Sequence, residues 1–513
     1  MARWAPAIAA PEKTRVLHFV PQGNLQNPDP IWTTTVIARN HGYVIWDTLF
    51  GLDQGLHPKL QMLAAADTSE DKLTWTLTLR DGLKWHDSEP VRALDCVASI
   101  SRWSKRDGFG QRVAAQTAGM TALDDKRVQI RLTKPFPLLP YALGSGTPFM
   151  MPERMAKTDP YQQITEYVGS GPYSFVRDEW VSGSKAVYAR FDGYEPRNEA
   201  PDFTAGGKVA HFDRIQWDII SDPGTAAAAL QRGEVDWIEQ PLVDLLPVLR
   251  RAPGVVVEAV DPFGSIGIIR FNDLQPPFDN VKLRRALLPA IDQSEFMAAV
   301  MGNEQDLART GIGIWSPGTP LANDVGMSAL SGPRDPALAK KLVAESGYKG
   351  DRVVLLSPSD FPAIQAIAQV TRDVFERVGL NVDYISADWG TVVARRGSKE
   401  PVEKGGWSAF CTYGDGIAYS NPGQHTGIWG NGQQGWYGWY TSERMEKLRD
   451  AWYDAPDTAT QARLGREMQF LAFDEVPYIP VGQWFQPIAR RSDLSGIVRS
   501  ALPIFWNVQR VGT

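Results

Sequence analysis

The chain has 513 residues, of which 43% are hydrophobic and 22% charged, a composition typical of a multidomain globular protein rather than a disordered or fibrous one. Its formal net charge is −6 at pH 7 and its basic residues are dispersed, which excludes the concentrated positive field that nucleic-acid binding requires. No run approaches the roughly 18–20 apolar residues that span a bilayer.

The N-terminal residues 1–19 carry one early Arg and several small residues but no apolar run of signal-peptide length. We interpret them as the trimmed start of a secreted protein. The two cysteines, Cys96 and Cys411, lie far apart in the sequence. We therefore expect two free thiols, and neither a disulfide framework nor a multi-cysteine metal site.

Residues 73–79 alternate between apolar residues and threonines, and this period of two predicts a strand. A turn follows at residues 81–82, and Leu83 and Trp85 are expected to resume a strand. Residues 91–103 then have the apolar spacing of a helix.

Three residues that enzymes often use, His86, Asp87 and Glu89, lie between these elements. Acid–base catalysis would need a convergent partner, which the sequence does not show. Carboxylates just before a helix interact favourably with its N-terminal dipole. We therefore interpret the three as turn and cap residues.

The later segments also mix helices and strands. We predict a Gly/Pro turn entering a strand in residues 168–180, a helix and a short buried strand in 225–239, and a helix bent near Pro289 in 281–303. Residues 336–385 have a helix–strand–helix–strand pattern, whose β-α-β part predicts a parallel strand pair. The fold class is therefore α/β.

Six segments, in this order, resemble the family 5 extracellular solute-binding proteins of ABC importers, the peptide- and dipeptide-binding group. They are WTLTLRDGLKWHDSEPVRALDCVASI, VGSGPYSF, GEVDW, IRFNDLQPPFDNVKLRRALLPAIDQ, KKLVAESGY and EVPYIPV. The resemblance covers nearly the whole chain, and in that family the stretch around His86 is framework. One departure concerns the loop 357–365, which lacks the Arg that holds the peptide carboxylate in dipeptide-binding members and so argues against a simple dipeptide ligand.

The resemblance implies a periplasmic-binding-protein type II fold, with two lobes joined by a hinge and an extra small α/β domain inserted in the first lobe. Gly264 and Gly267 are expected to absorb torsion at one crossing, and the other crossing is expected near residues 480–484. The implied domains are residues 1–45, 170–262 and 483–513 for the first lobe, 46–169 for the extra domain, and 263–482 for the second lobe.

The main candidate for ligand binding is Asp415, which resembles the aspartate that pairs with the ligand's amino group in dipeptide-binding members. A carboxylate in a closing cleft offers an ammonium a charge-assisted hydrogen bond. An Asx turn before Gly416 is the structural alternative. The adjacent Tyr413 and Gly414 belong to the same predicted site.

Aromatic residues form the second group of candidates. Trp389 follows a predicted strand, where open α/β sheets place ligand contacts, although burial in the lobe is the alternative. Trp436, Tyr437 and Trp439 alternate with glycines, a pattern without core periodicity that predicts exposed rings.

The remaining predicted ligand-binding residues are polar or lie at the first crossing. Gln22 and Asn24 follow the first strand and are expected to offer neutral hydrogen bonds. The others are Asn421, Phe263 and Gly264.

We therefore expect a monomeric periplasmic receptor that closes over a peptide or peptide-like solute bearing an amino group and delivers it to the membrane permease of an ABC importer. An oligosaccharide or glycoside stacked on Trp residues is the alternative ligand, and a lipid anchor is an open alternative. The motifs of serine hydrolases, zinc proteases and P-loop enzymes do not occur, and the six His residues show no metal-ligand spacing. We predict no catalytic residue, metal or cofactor.

Overall fold

The computed structural model describes residues 15–511. The interpretation of the N-terminus as a trimmed leader falls mainly on residues 1–14, which lie outside the described residues.

The first large sheet has seven strands. The strand Val16–Val20 is central and pairs in parallel with both of its neighbours, as expected for a strand that is covered on both faces. In spatial order the strands are Val255–Glu258, Ile488–Arg491, Trp237–Ile238, Val16–Val20, Arg214–Asp218, Lys185–Arg190 and Tyr173–Phe175.

The second sheet has six strands. Its strand Ser265–Phe271 is buried at every position and pairs antiparallel with two neighbours. In spatial order the strands are Ala308–Arg309, Tyr478–Trp484, Ser265–Phe271, Ala409–Asp415, Arg352–Pro358 and Asn381–Ala387. The last two are parallel, which confirms the predicted β-α-β unit.

A third sheet has four strands, in the spatial order Leu63–Thr68, Thr74–Leu79, Arg127–Leu132 and Thr117–Ala122. Two smaller sheets pair Phe50–Leu52 with Pro58–Leu60 and Leu494–Ser495 with Gln509–Arg510. The predicted strand at residues 73–79 is thus present as Thr74–Leu79.

Helices pack against these sheets, and their ends follow the signals in the sequence. Gly233 ends one helix in the left-handed conformation, with φ of 74°. Near Pro289 the predicted helix 281–303 is broken into two, as expected. The α-helices are Val36–Ile45, Ala93–Trp103, Gly108–Gln116, Leu139–Ala142, Glu153–Ala156, Pro223–Arg232, Leu246–Arg251, Val281–Leu287, Gln293–Met301, Pro336–Glu345, Pro362–Arg377, Trp389–Arg395, Glu443–Tyr453 and Thr458–Glu475.

The expected second strand at Leu83 and Trp85 is wrong. The backbone N–H of Trp85 donates to Glu89 O at 2.8 Å, and that of Val91 donates to Leu83 O at 3.1 Å. These bonds close the segment into a tight loop, so its backbone groups are not available to a neighbouring strand.

His86 has a structural role in this loop. Its Nδ1 accepts from the Gly169 backbone N–H at 3.0 Å, and its Nε2 donates to Gly171 O at 3.0 Å. Burial lowers the pKa of His86 to about 4, so the ring is neutral at pH 7. Both ring nitrogens are therefore occupied in holding two segments of the fold together.

Two connectors join the first sheet to the second, and they lie side by side. One runs from Glu258 to Ser265 and the other from Trp484 to Ile488. Gln483 Nε2 donates to Phe263 O at 2.6 Å and so links them. The domain boundaries and the hinge remain predictions.

Gly264 is in the left-handed region with φ of 62°, and a Cβ there would lie 2.6 Å from Trp484 O. A side chain at this position would therefore collide with the neighbouring connector. Gly267, by contrast, lies within the strand Ser265–Phe271 and packs against Ile367.

Within residues 15–511, the helices are all too short or too polar to cross a membrane.

Candidate functional site

A cavity of about 60 Å³ lies between the first and second sheets. At about 30 Å³ per molecule of liquid water, it has room for roughly two waters. Its polar and charged lining residues include Gln22, Arg39, Glu239 and Gln240 from the side of the first sheet, Ser265, Tyr413 and Asp415 from the second, and Asp261 and Gln486 from the connectors.

A larger groove of about 630 Å³ lies elsewhere, against the helices Glu443–Tyr453 and Thr458–Glu475. It contains none of the predicted site residues. We therefore assign the candidate site to the smaller cavity between the sheets, where residues from both sides converge.

Asp415 reaches this cavity because it is the last residue of the strand Ala409–Asp415. Tyr413 lies on the same face of that strand, since side chains two residues apart point the same way. Asp415 Oδ1 also accepts from the Ala418 backbone N–H at 3.0 Å. The structural alternative considered for Asp415, a turn, is thus realised by one oxygen, while the other oxygen faces the first sheet's side.

The partner of that second oxygen is Arg39. Arg39 Nη1 donates to Asp415 Oδ2 at 2.5 Å, and the two side chains are 21% and 12% exposed. Arg39 lies in the helix Val36–Ile45, 376 positions away in sequence. An ion pair therefore spans the cavity, and the carboxylate predicted to receive a ligand ammonium has a cationic partner within the protein.

A hydrogen-bond network lies beside this ion pair. Glu239 accepts from the backbone N–H and the side-chain amide of Gln22 at 2.7 and 2.9 Å, and from Asn40 at 3.1 Å. The Tyr413 hydroxyl donates to Gln22 Oε1 at 3.2 Å and accepts from Gln240 at 3.3 Å. Tyr413 thus connects the second sheet to two loops of the first.

Two carboxyl groups at the cavity have raised pKa values. Burial raises the pKa of Glu239 to about 7, against the opposing effect of the Gln22 donors. Burial, together with repulsion from Asp415, raises the pKa of Asp261 to about 7, while the Phe263 backbone N–H opposes the shift. The cavity therefore becomes more negative as the pH rises through neutrality.

Of the predicted ligand-binding residues, Gln22, Tyr413 and Asp415 line the cavity together. The other nine are not among the residues that line it. They are Asn24, Phe263, Gly264, Trp389, Gly414, Asn421, Trp436, Tyr437 and Trp439.

The expected exposure of Trp439 is wrong, because this ring is only 3% exposed. It packs against Trp407 with a centroid distance of 5.7 Å, in an apolar cluster on one face of the second sheet. Trp436 and Tyr437 are partly buried at the edge of the same cluster. The interleaved glycines permit the sharp turns that bring these rings inward.

The polar candidates outside the cavity have partners in the fold. Asn24 accepts from the Gly183 backbone N–H at 2.8 Å. Asn421 is 7% exposed, accepts from the Gly423 backbone N–H at 3.0 Å and donates to the Tyr141 hydroxyl at 3.1 Å.

The other candidates are fixed by close packing. Trp389 is partly buried and lies 5.7 Å from Phe361. A Cβ at Gly414 would lie 2.6 Å from the Tyr419 ring.

Sequence reasoning missed Arg39, Glu239, Gln240, Asp261 and Gln486. A signal for the first of them is present, since the helix VIARNHGYVI carries three consecutive polar residues inside an otherwise apolar segment. Polar side chains in such a position need partners. Their partners come from distant parts of the chain, and the sequence does not identify these.

Among the residues that the structure describes, His, Cys, Asp and Glu form no cluster of three or more that could hold a metal ion. Cys96 and Cys411 are both free and buried.

Comparisons with known proteins agree on one family. The model of the bacterial extracellular solute-binding proteins, family 5 (middle region), matches residues 58–436. The chain is 37% identical to the probable peptide ABC transporter periplasmic-binding protein y4tO of Sinorhizobium fredii, over 99% of this chain and 96% of that protein.

Two solved structures have a similar fold. One is AgaA from A. tumefaciens R10 in complex with agropinic acid, with a TM-score of 0.81, 18% identity, and coverage of 97% of this chain and 99% of that one. The other is DppA from Helicobacter pylori in complex with the peptide STSA, with a TM-score of 0.80, 18% identity, and coverage of 96% and 98%.

Proposed function

Because the chain belongs to the family 5 bacterial extracellular solute-binding proteins, we propose that it is the receptor of an ABC importer for a peptide or peptide-like solute bearing an amino group. Its fold is the type II periplasmic-binding-protein fold that the sequence predicts. In this role the protein binds the solute between its lobes and releases it unchanged to a membrane permease.

The observation that carries the proposal is the cavity between the sheets, with Asp415 in its wall. Three of the lining residues, Glu239, Asp261 and Asp415, are carboxylic acids, and one, Arg39, is basic. This excess of acidic groups favours a ligand with a positive charge. Charge-assisted hydrogen bonds to an ammonium are strong in a site from which closure excludes water.

A sugar ligand has less support. Stacking on sugar faces would need aromatic rings that open into the cavity, whereas Trp436, Tyr437 and Trp439 are absent from its lining and pack in or beside the apolar cluster on the second sheet. The relative of 37% identity is named as a peptide transporter protein. The fold itself does not select the solute, since one similar structure holds agropinic acid and another holds a peptide.

The proposal includes a location and a partner. A receptor of this kind works outside the cytoplasmic membrane, in the periplasm, and we place the chain there as a monomer. The permease of the importer is its protein partner.

Isothermal titration with a library of free dipeptides and tripeptides tests the proposed function. Asp415→Asn is expected to weaken binding about 10- to 100-fold, because a hydrogen bond to a charged group contributes about 1.5–3 kcal/mol. The control is Asp360→Asn. Asp360 is exposed near the same edge of the second sheet and does not line the cavity. It should retain wild-type affinity within about twofold.

Two results would contradict the proposal. One is the absence of heat from every peptide with the wild-type protein. The other is an equal affinity loss in the two variants, which would separate Asp415 from recognition.

A further inference from the structure

The ion pair between Arg39 and Asp415 leaves part of the arginine unused. A guanidinium has five N–H donors arranged in a planar fork. Arg39 Nε and Nη2 are buried and have no hydrogen-bond partner among the described residues. Since Arg39 lines the cavity, these donors lie beside the space where a ligand would bind.

The nearby carboxyl groups do not compensate for this. The two oxygens of Glu239 accept from Gln22 and Asn40, and Asp261 Oδ1 accepts from the Phe263 backbone N–H at 2.8 Å. Buried donors on a charged group are costly when they are unpaired. The free side of the Arg39 fork is therefore suited to an acceptor from outside the protein, and a carboxylate matches its geometry best.

A ligand with an amino group alone would not fit this arrangement. By taking Asp415, it would separate the ion pair and leave Arg39 as a buried charge without a counter-ion, which is strongly unfavourable. A ligand that brings both an ammonium and a carboxylate replaces each half of the pair. The two charges of such a ligand should lie near one another, because Arg39 and Asp415 are in direct contact.

On the basis of the proposed function, we infer that the ligand is a short zwitterion and that Arg39 binds its carboxylate while Asp415 binds its ammonium. Free amino acids and dipeptides with a free C-terminus belong to this class. Arg39 thus supplies, from the opposite lobe, the cation that the loop 357–365 lacks.

The test compares the dipeptide that binds most tightly in a thermal-shift screen of free dipeptides with its C-terminal amide, using titration calorimetry. The amide keeps the ammonium and removes only the negative charge. For the wild-type protein, we expect the amide to bind at least about tenfold more weakly. For Arg39→Gln, the acid and the amide should bind within about threefold of each other, and Arg39→Lys should retain part of the preference.

Arg490→Gln is the matched control. Arg490 is also a partly buried arginine, paired with Glu258 at 2.6 Å, and it does not line the cavity. It should keep the wild-type preference for the acid.

Equal binding of acid and amide by the wild-type protein would overturn the inference and leave the proposed function intact. If no dipeptide binds, both are contradicted. The comparison of the two ligands on the wild-type protein decides the matter even if Arg39→Gln does not fold.

Discussion

Asp261 is the residue at which protonation and the architecture of the cleft meet. It lies in the connector between the two large sheets, where Asp415 and Arg39 are its charged neighbours. Burial raises its pKa to about 7, well above the value of about 3.9 for an unfolded aspartate. Between these values the folded protein binds more protons than the unfolded chain.

The free energy of unfolding should therefore decrease as the pH rises from about 4 to about 7, as far as Asp261 contributes. Asp261→Asn removes this loss and keeps an Oδ1 acceptor for Phe263. We expect the variant to be more stable than the wild type at pH 8, by about 1–3 kcal/mol once solvent access is considered, and nearly equal at pH 4.

Urea unfolding at the two pH values measures this difference. The exposed Asp306→Asn provides the control, with no expected change between them. A stability gain that is the same at both pH values would argue against a proton-linked cause.

At the residue scale, the sequence predicted part of the site. Asp415 and Tyr413 were identified from a local motif, and Gln22 from its position after a strand, and all three line the cavity. Arg39 and Asp261 were not identified, because their surroundings are created by chain segments that meet only in the folded protein. Their roles in ligand binding, like those of the other candidates, remain predictions.

At the scale of elements, one contact joins the helix Gly108–Gln116 to the loop that follows the strand Ala409–Asp415. A Cβ at Gly108 would lie 2.3 Å from the Trp429 ring. Reciprocally, a Cβ at Gly423 would lie 2.3 Å from the Phe109 ring. Each segment therefore places a glycine beneath an aromatic ring of the other.

We expect Gly108→Ala to reduce the free energy of unfolding by about 1–3 kcal/mol, because the added methyl group overpacks this contact. Gly224→Ala is the matched control, since Gly224 is also in the first turn of a helix and its nearest neighbour would be 3.4 Å away. Replacing that glycine should be neutral or stabilising by up to about 1 kcal/mol. Denaturant unfolding measures both variants, and similar values for the two would contradict the packing argument.

Elements with a strong local pattern were predicted well. The strand Thr74–Leu79 has an alternating sequence, and the break near Pro289 follows from the missing backbone donor of proline. The strand expected at Leu83 and Trp85 was wrong because alternation alone does not show whether backbone groups bond locally or to a neighbour. Trp439 was misjudged since its burial depends on Trp407, far away in sequence.

For the whole molecule, the Arg39–Asp415 pair favours the closed arrangement of the two sheets. We expect the double variant Arg39→Gln/Asp415→Asn to shift the ligand-free protein toward an open form. If the pair contributes about 1–2 kcal/mol, the ratio of closed to open molecules should fall roughly 5- to 30-fold.

Small-angle scattering without ligand measures this shift as a larger radius of gyration. Arg490→Gln should scatter like the wild type, because its ion pair lies within the first sheet. Identical scattering from the wild type and the double variant would show that the pair does not hold the cleft closed.

At this scale the overall architecture was predicted from the resemblance of six segments, whose order reflects the chain path. The closed, internally paired cleft was not predicted. It results from a contact between residues 376 positions apart, and a linear pattern contains no information on that distance.

The side-by-side connectors have a mechanical consequence. Two adjacent chain segments, bonded through Gln483 and Phe263, form a narrow ribbon between the large sheets. A ribbon bends easily across its flat face and resists shear in its plane. The jaws should therefore swing about one axis, so that a solute arriving anywhere along the mouth meets both walls through the same single-axis stroke.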